Sequence, residues 1–315
     1  MMAKMVDSVF VNRHQQIVNR RKISTRKLYA NVANEIARMG QGSKPLQGIE
    51  GESVPLASPS LMKGSMTMKP LRVLVVGWTA TTGGIEHFLM AYCGKMNRER
   101  VQFDFLCRFS PIACQKEAEK IGKIYTITRR SSDIMRYYRE INDFFREHGH
   151  EYDIIWDNEC MFNDMTPLKK AAEVGIPVRI AHCHNPQNMD KSVIGHVQGF
   201  LHRVNHHSLS RYANVLWACS MESAKWACPA MDLPCEVIPN AIDAQMFRFS
   251  EQVRREVREQ YGLEDCLVVG HVGRLQYQKN QTFLLDAFRH LHEREEKARL
   301  VLVGDGPDVS VLGAE

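Results

Sequence analysis

Two cations stand five residues apart in the stretch VVGHVGRLQYQKN. Arg274 and Lys279 follow a buried strand predicted over 266–273 and precede an amphipathic helix predicted over 280–294. A guanidinium offers a planar fork to phosphate oxygens, an ammonium offers a point charge, and a helix start offers free N–H groups. The pattern is typical of a diphosphate site, the alternative being two solvated loop cations. Two further loop residues are assigned to the same site, Gly273 and Asn280.

The next predicted strand, 298–304, also has a glycine-rich exit. It ends in Gly304, Asp305, Gly306 and Pro307. Because the carboxyl ends of parallel strands meet at one edge of a sheet, both exits should open on one cleft. We therefore expect the two glycines to belong to the same diphosphate site and Asp305 to be a turn residue.

A second glycine loop follows the first predicted strand, 71–77. It closes with Gly83 and Gly84 at the start of a helix, where the backbone can approach an anionic ligand closely. The loop lacks the G-x-G-x-x-G fingerprint of dinucleotide sites, and a tight strand-to-helix turn is the alternative interpretation. Glu86, in the first helical turn, is either a binding residue or a complement to the helix dipole.

Two histidines flank Cys183 at the end of another predicted strand, 178–183. Alternate residues of a strand share a face, so His182 and His184 should point the same way. Three interpretations stay open: a metal site, a hydrogen bond to a polar substrate, or a structural histidine. No carboxylate or further histidine lies at ligand spacing in this loop, which argues against the metal, although His206 and His207 could approach in space. Asn185 follows directly and is a candidate binding residue.

From Leu71 onward the chain alternates strands and amphipathic helices, which predicts α/β architecture with parallel sheets and helices on both faces. We expect two Rossmann-like βαβ domains, at 70–245 and 246–315, the second incomplete. The predicted strands are 71–77, 101–107, 123–127, 153–157, 178–183, 214–219, 235–239, 266–273 and 298–304.

Composition excludes several classes of function. The 315 residues are 44% hydrophobic with a net charge of +5, but residues 1–70 hold 11 Lys and Arg against 4 Asp and Glu. The remainder is therefore slightly acidic, which gives no support for nucleic-acid binding. Nine cysteines without a CxxC pair indicate a reducing compartment. No secretion signal is recognisable, so we expect a cytoplasmic protein.

The basic front of the chain is predicted to be separate from the body. Residues 8–39 show helical spacing of apolar residues beside many cations, and residues 40–69 resemble a linker, so 1–69 is treated as an extension. A basic amphipathic helix would allow peripheral contact with an anionic membrane, at its inner face. The alternative is a solvated helix without such a role.

An ordered set of segments resembles a known family: GWTATTGGIEHFLMAY, VQFDFL, VRIAHCHN, ANVLWACS, VIPNAID, VVGHVGRLQYQKN and LVLVGDGP. Over about 71–307 the sequence is similar to retaining GT-B glycosyltransferases of family 4 (glycosyl transferases group 1), of the exopolysaccharide and capsule type. The resemblance implies two facing Rossmann-like domains. It also implies a nucleotide-sugar donor such as a UDP-sugar, a saccharide or polyprenol-linked acceptor, and no cofactor or required metal.

The resemblance assigns roles to residues in the second domain. Arg274 and Lys279 match the family's pair that grips the donor diphosphate, and they are the predicted catalytic cations. Asn280 stands where many relatives have Gly.

In the first domain, Gly83 and Gly84 match the loop that closes over donor phosphates and acceptor. His184 matches the position that contacts the transferred sugar and is the third predicted catalytic residue, with His182 as second choice. Two neighbours of these loops complete the predicted binding set, Glu86 and Asn185.

The chain departs from the family after Pro307. Members continue through further βα units that include two glutamates separated by seven residues. The sequence is therefore expected to be a C-terminally truncated transferase with little or no turnover. The alternative is an inactive fragment or pseudoenzyme that acts as a binding module. A nucleotide-sugar dehydrogenase or epimerase is a further rival, but its G-x-G-x-x-G and Tyr-x-x-x-Lys motifs are absent.

Overall fold

The computed structural model of the protein describes residues 69–312. The basic helix and the linker predicted within 1–69 lie outside the described residues, apart from residue 69. The chain divides into two compact units after Ile242. The sequence alone predicts this boundary between 245 and 246, three residues later.

The first unit contains seven strands and seven α-helices within the described residues. Its strands are β1 (Leu71–Val76), β2 (Val101–Cys107), β3 (Gly122–Thr126), β4 (Ile154–Glu159), β5 (Val178–Cys183), β6 (Val215–Ala218) and β7 (Cys235–Val237). Its helices are α1 (Gly84–Cys93), α2 (Gln115–Ile121), α3 (Ile134–His148), α4 (Thr166–Glu173), α5 (Val193–Asn205), α6 (Leu209–Tyr212) and α7 (Met221–Ala227).

The seven strands form one parallel sheet in the order β3-β2-β1-β4-β5-β6-β7. Parallel sheets are covered on both faces, which explains why the strands are nearly continuous apolar runs. Strand order reverses between β1 and β4, because β2 and β3 extend to one side and β5 to β7 to the other. In such sheets, ligands bind outside the carboxyl ends of the strands at this point.

Two hydrophobic cores lie on opposite faces of this sheet. Alternation along β1 shows how one strand serves both, since Val73 and Val75 join one core while Leu74 and Val76 join the other. The first core also holds three buried tryptophans, Trp78, Trp156 and Trp217.

The second unit is a βαβ element with flanking helices. It contains α8 (Glu251–Gln260), β8 (Leu267–Val272), α9 (Gln281–His292), β9 (Ala298–Val303) and α10 (Val309–Leu312). Strands β8 and β9 pair in parallel, with Val268 beside Arg299 and Val272 beside Val303.

Each of the nine predicted strand runs contains a strand, and the predicted α/β class with parallel sheets is confirmed. The differences are at the ends. The third strand begins at Gly122 and ends before Ile127, and the fourth extends to Glu159. Among residues 69–312, no helix combines the length and hydrophobicity needed to cross a bilayer.

Candidate active site

The loop after β1 passes very close to β4 at the point where strand order reverses. Gly77 has φ +106°, and a Cβ there would lie 1.8 Å from the backbone oxygen of Asn158. A side chain at this position would therefore displace one of the two strand ends. The loops after β1 and β4 thus leave the sheet side by side.

The glycine loop ahead of α1 is held by Glu86. This carboxylate is buried, and its Oε1 accepts hydrogen bonds from Thr79 N at 3.0 Å and Thr79 Oγ1 at 2.6 Å. A Cβ at Gly83 would lie 3.1 Å from Glu86 Oε2, whereas one at Gly84 would meet nothing within 4 Å. Glu86 therefore fixes the shape of the loop, and the space beside Gly84 is open.

His184 lies just beyond β5, where its ring meets a side chain from β4. Its Nε2 is 3.1 Å from Asn158 Oδ1. The amide Nδ2 of Asn158 donates to the backbone oxygens of Val76 and Trp156, so its Oδ1 is the acceptor and His184 Nε2 carries the proton. Burial lowers the pKa of His184 to about 4. The neutral ring therefore keeps a lone pair on Nδ1, which has no hydrogen-bond partner among the described residues.

His182 lies deeper, with no exposed surface. Trp156 Nε1 donates to its Nδ1 at 3.1 Å, and its Nε2 has no partner in the described part of the chain. Burial, together with the neighbouring His184, holds its pKa well below the usual value. The two imidazoles stack with centroids 4.2 Å apart, and Phe88 of α1 packs edge-on against both. The histidines share a face, as predicted, and His182 supports the ring of His184 from within the core.

Asn185 occupies the half-buried start of the loop after β5. Its backbone oxygen accepts a hydrogen bond from Cys183 Sγ at 3.3 Å. This contact orders the chain immediately after His184.

A partly buried charged cluster at the ends of β2 and β4 was not predicted. Arg108 forms an ion pair with Glu159 and approaches Asp164 at 3.8 Å. Asp164 also accepts hydrogen bonds from Tyr137 Oη at 2.7 Å and from Thr166. The available signal was the polar run Asp157-Asn158-Glu159 inside an otherwise apolar strand.

Asp157 completes this cluster, fully buried and with no hydrogen-bond partner on either oxygen among the described residues. Burial, and then the charge of Glu159, hold its pKa well above the usual value. Burial also raises the pKa of Glu159, against the effect of Arg108. At Asp164, burial is outweighed by hydrogen bonds from Thr166 and Tyr137, and the pKa is lowered. A protonated Asp157 therefore leaves Arg108 facing two carboxylates.

In the second unit, Arg274 and Lys279 lie on the exposed loop between β8 and α9. None of the described residues makes a hydrogen bond or ion pair with either cationic group. The loop ends at Asn280, whose φ of +52° turns the chain into α9. No side chain caps this helix, so the N–H groups at its start have no side-chain acceptor. Two unpaired cations and open N–H groups are what an anion requires.

The side chain of Gln281, which is 2% exposed, is hydrogen-bonded to the same loop. Its Nε2 donates to the backbone oxygen of Arg274 at 3.0 Å and lies 3.2 Å from His271 Nε2. A Cβ at Gly273 would meet Lys279 and His271 side-chain atoms only at 3.6 Å or more. Gln281, which was not predicted, therefore sets the position of the cationic loop.

The loop after β9 packs against this loop through backbone contacts. A Cβ at Gly304 would lie 1.9 Å from the backbone oxygen of Gly273, and one at Gly306 would lie 2.1 Å from that of Leu275. Leu275 N also donates to the backbone oxygen of Asp305 at 2.9 Å. The two glycine-rich loops therefore contact each other, and Gly304 and Gly306 lie against the backbone of the cationic loop. Their role in binding a ligand stays a prediction.

Within residues 69–312, no three His, Cys, Asp or Glu side chains are arranged to hold a metal ion. Later in the chain, His206 and His207 contact each other through Nε2 atoms 3.2 Å apart. The ring of His206 also packs against His202.

Solved structures resemble this chain in three dimensions. Anabaena Alr3699/HepE in complex with UDP matches with a TM-score of 0.56 and 19% identity, over 78% of this chain and 64% of that chain. The fold is GT-B. A glycosyltransferase from Rickettsia africae ESF-5 gives a TM-score of 0.54 at 13% identity, over 76% of this chain and 61% of that chain. These likenesses establish the GT-B fold alone.

Sequence comparison agrees with the GT-B assignment. Residues 253–314 match the family model described as glycosyl transferases group 1. EpsF of Bacillus subtilis (strain 168), named as a glycosyltransferase, is 29% identical over 249 residues, covering 77% of this chain and 64% of EpsF. The GDP-mannose-dependent alpha-(1-6)-phosphatidylinositol monomannoside mannosyltransferase of Mycolicibacterium smegmatis is 24% identical over 239 residues, covering 73% and 59%.

The chain therefore spans less than two thirds of the length of these curated relatives. The predicted similarity to group 1 glycosyltransferases is confirmed. The assignment to family 4 and the retaining stereochemistry stay predictions.

Proposed function

We propose that the protein is a retaining glycosyltransferase. It transfers a sugar from a nucleotide diphosphate sugar, a UDP-sugar, to a saccharide or polyprenol-linked saccharide. The observation that carries the proposal is the loop of Arg274 and Lys279, two unpartnered cations beside an uncapped helix start. This loop lies within the residues that match the family model. The pathway proposed is bacterial exopolysaccharide or capsule synthesis, in the cytoplasm with peripheral contact at the inner membrane face.

In this proposal, catalysis is positional and electrostatic. Arg274, Lys279 and the first N–H groups of α9 hold the diphosphate and stabilise the negative charge that grows on it as the sugar–oxygen bond breaks. The acceptor hydroxyl attacks from the same face, which retains the configuration at the sugar carbon. The mechanism proposed requires no metal, because the cations supply the needed positive charge.

The first unit would receive the sugar acceptor. The neutral ring of His184 offers a lone pair on Nδ1 to a sugar hydroxyl, and Asn158 holds the opposite nitrogen. The open space at Gly84 leaves room for a ligand beside the loop. The choice of a UDP-sugar is supported by the Anabaena HepE structures, which contain UDP and UDP-glucose.

Binding of inorganic pyrophosphate and of UDP to the purified chain tests the phosphate grip. Arg274→Ala should weaken both by about tenfold to a hundredfold, since charge-assisted hydrogen bonds to phosphate are lost. The matched control is Arg289→Ala in the same unit, whose guanidinium pairs with Asp286 and is expected to have no effect. Equal affinities in all three proteins by calorimetric titration would remove Arg274 from the site.

Turnover is tested separately, by release of UDP from a panel of UDP-sugars with saccharide and polyprenol-linked acceptors. Transfer that is reduced by orders of magnitude in Arg274→Ala supports the enzyme. Tight UDP binding without any transfer assigns the chain to the alternative role, a binding module. No binding of UDP or pyrophosphate contradicts both.

A further inference from the structure

Helix α5 turns its apolar side chains toward solvent. Four residues spaced by four, three and four positions form one stripe along the helix. Their exposed fractions are far above those of core residues: Val193 81%, Val197 55%, Phe200 59% and Val204 54%. We call these four residues the α5 ridge.

The opposite side of α5 is the side that packs on the protein. Gly195, Gly199 and His202 are its buried residues, although none of them has a large apolar side chain. A Cβ at Gly195 would lie 2.3 Å from the backbone oxygen of Asp190, and one at Gly199 would lie 2.8 Å from Asn188 Nδ2. The amphipathic pattern of α5 is therefore inverted relative to a core helix.

Specific hydrogen bonds prevent α5 from rotating to bury the ridge. His202 Nδ1 accepts from the backbone nitrogen of Phe162, and its Nε2 lies 3.0 Å from the backbone oxygen of Trp226. Its ring also stacks on Trp226 with centroids 4.3 Å apart. Both ring nitrogens are satisfied in this orientation, and these contacts hold α5 with the ridge exposed.

The charges around the ridge select its partner. Between residues 186 and 212 there is one acidic residue, Asp190, and its carboxylate accepts a hydrogen bond from Ser192 N at the start of α5. The exposed cations Arg203 and Arg211 lie on or just after the helix. An apolar stripe flanked by basic residues is the pattern of helices that lie in the surface of anionic membranes.

We propose that the α5 ridge docks the first unit onto an anionic lipid surface. The ridge enters the boundary between headgroups and acyl chains, while Arg203 and Arg211 stay among the headgroups. This contact is distinct from the basic helix predicted within residues 8–39. It gives a location to the peripheral membrane contact of the proposed function, on which it rests, but it does not depend on the proposed sugar transfer, so lipid binding and transfer can fail separately.

Co-sedimentation of the full chain with lipid vesicles tests the proposal. The parent should bind vesicles of phosphatidylcholine mixed with phosphatidylglycerol, bind phosphatidylcholine alone weakly, and lose affinity as salt rises. Val197→Ser combined with Phe200→Ser should lower the partition coefficient about tenfold or more, because two apolar side chains no longer enter the bilayer. Arg203→Gln should lower it about fivefold on anionic vesicles only.

The matched control is Val253→Ser combined with Val257→Ser on α8, where the two valines are 55% and 45% exposed. Helix α8 carries equal numbers of basic and acidic residues, so this pair should not change binding. Circular dichroism should show all variants folded, since every substituted side chain is exposed.

Three outcomes overturn the proposal. The first is absence of vesicle binding by the parent. The second is binding that the α5 variants and the α8 control share equally, which would place the lipid contact elsewhere, such as in residues 8–39. The third is concentration-dependent dimerisation, lost in the Val197→Ser and Phe200→Ser protein, without vesicle binding. That result would assign the ridge to a second copy of the chain.

Discussion

Replacing Gly304 by Ala is expected to weaken anion binding by the cationic loop, although neither Arg274 nor Lys279 is changed. The new Cβ would lie 1.9 Å from the backbone oxygen of Gly273, whereas real Cβ atoms essentially never approach within 3.0 Å. One of the two loops must therefore move by about 1 Å, because the interior is too closely packed to absorb the overlap. Gly273 directly precedes Arg274, so the guanidinium moves with the displaced backbone.

Two magnitudes follow for Gly304→Ala. Overpacking of this kind costs about 1–3 kcal/mol of the free energy of unfolding, and the second unit should melt earlier. A displacement of about 1 Å in a binding constellation lowers affinity about tenfold or more, so pyrophosphate should bind correspondingly more weakly. Calorimetry measures both, as the melting temperature in a scan and as the dissociation constant in a titration.

Gly270→Ala is the matched control, because a Cβ there meets nothing within 4 Å. It lies on β8, in the same unit, and should leave pyrophosphate binding unchanged. If Gly304→Ala melts and binds like the parent, the contact between the two loops does not position Arg274. If Gly270→Ala is equally impaired, the effect is a general sensitivity of the unit.

Three further predictions concern buried polar groups. Asp157→Asn should flatten the pH dependence of stability. The pKa of Asp157 is raised in the folded protein, so its contribution to the free energy of unfolding is lost as the pH rises from its unfolded to its folded pKa. In urea unfolding, the variant should therefore become more stable relative to the parent at alkaline pH. Tyr137→Phe should cost about 1.5–3 kcal/mol in the same assay through the lost bond to the Asp164 carboxylate, whereas Tyr138→Phe, with no hydroxyl bond among the described residues, should not. Gln281→Met should weaken pyrophosphate binding about fivefold while the fold persists, because the backbone oxygen of Arg274 loses its hydrogen-bond donor. Unchanged affinity in calorimetric titration would contradict the positioning role of Gln281.

The strands and the cationic loop were accessible to sequence analysis for physical reasons. Buried parallel strands are continuous apolar runs bounded by glycine, so their positions follow from local sequence. The polar run on β4 was a visible signal, but the cluster itself was not predictable, because Arg108, Asp157 and Asp164 come from three separate loops and strands whose meeting depends on strand order. The support given by Gln281 to the loop was equally hidden, since a glutamine in a first helical turn is usually solvated.

Helix α5 illustrates a more general limit. Periodicity identifies an apolar helix face but not the direction in which that face points. Here the buried side of the helix is formed by Gly195, Gly199 and His202, whose ring nitrogens both form hydrogen bonds. Val197 and Phe200 therefore point outward. The direction of this helix face is known only from the tertiary structure, through the hydrogen bonds of His202.

The tryptophans in the core of the first unit divide the molecule spectroscopically. All four in the sequence precede Ile242: Trp78, Trp156, Trp217 and Trp226. Indole emission therefore follows denaturation of the first unit alone, while far-ultraviolet circular dichroism follows helices and strands in both. Superimposable curves from the two probes would indicate one cooperative transition, and separated curves would yield an unfolding free energy for each unit without any label or truncation.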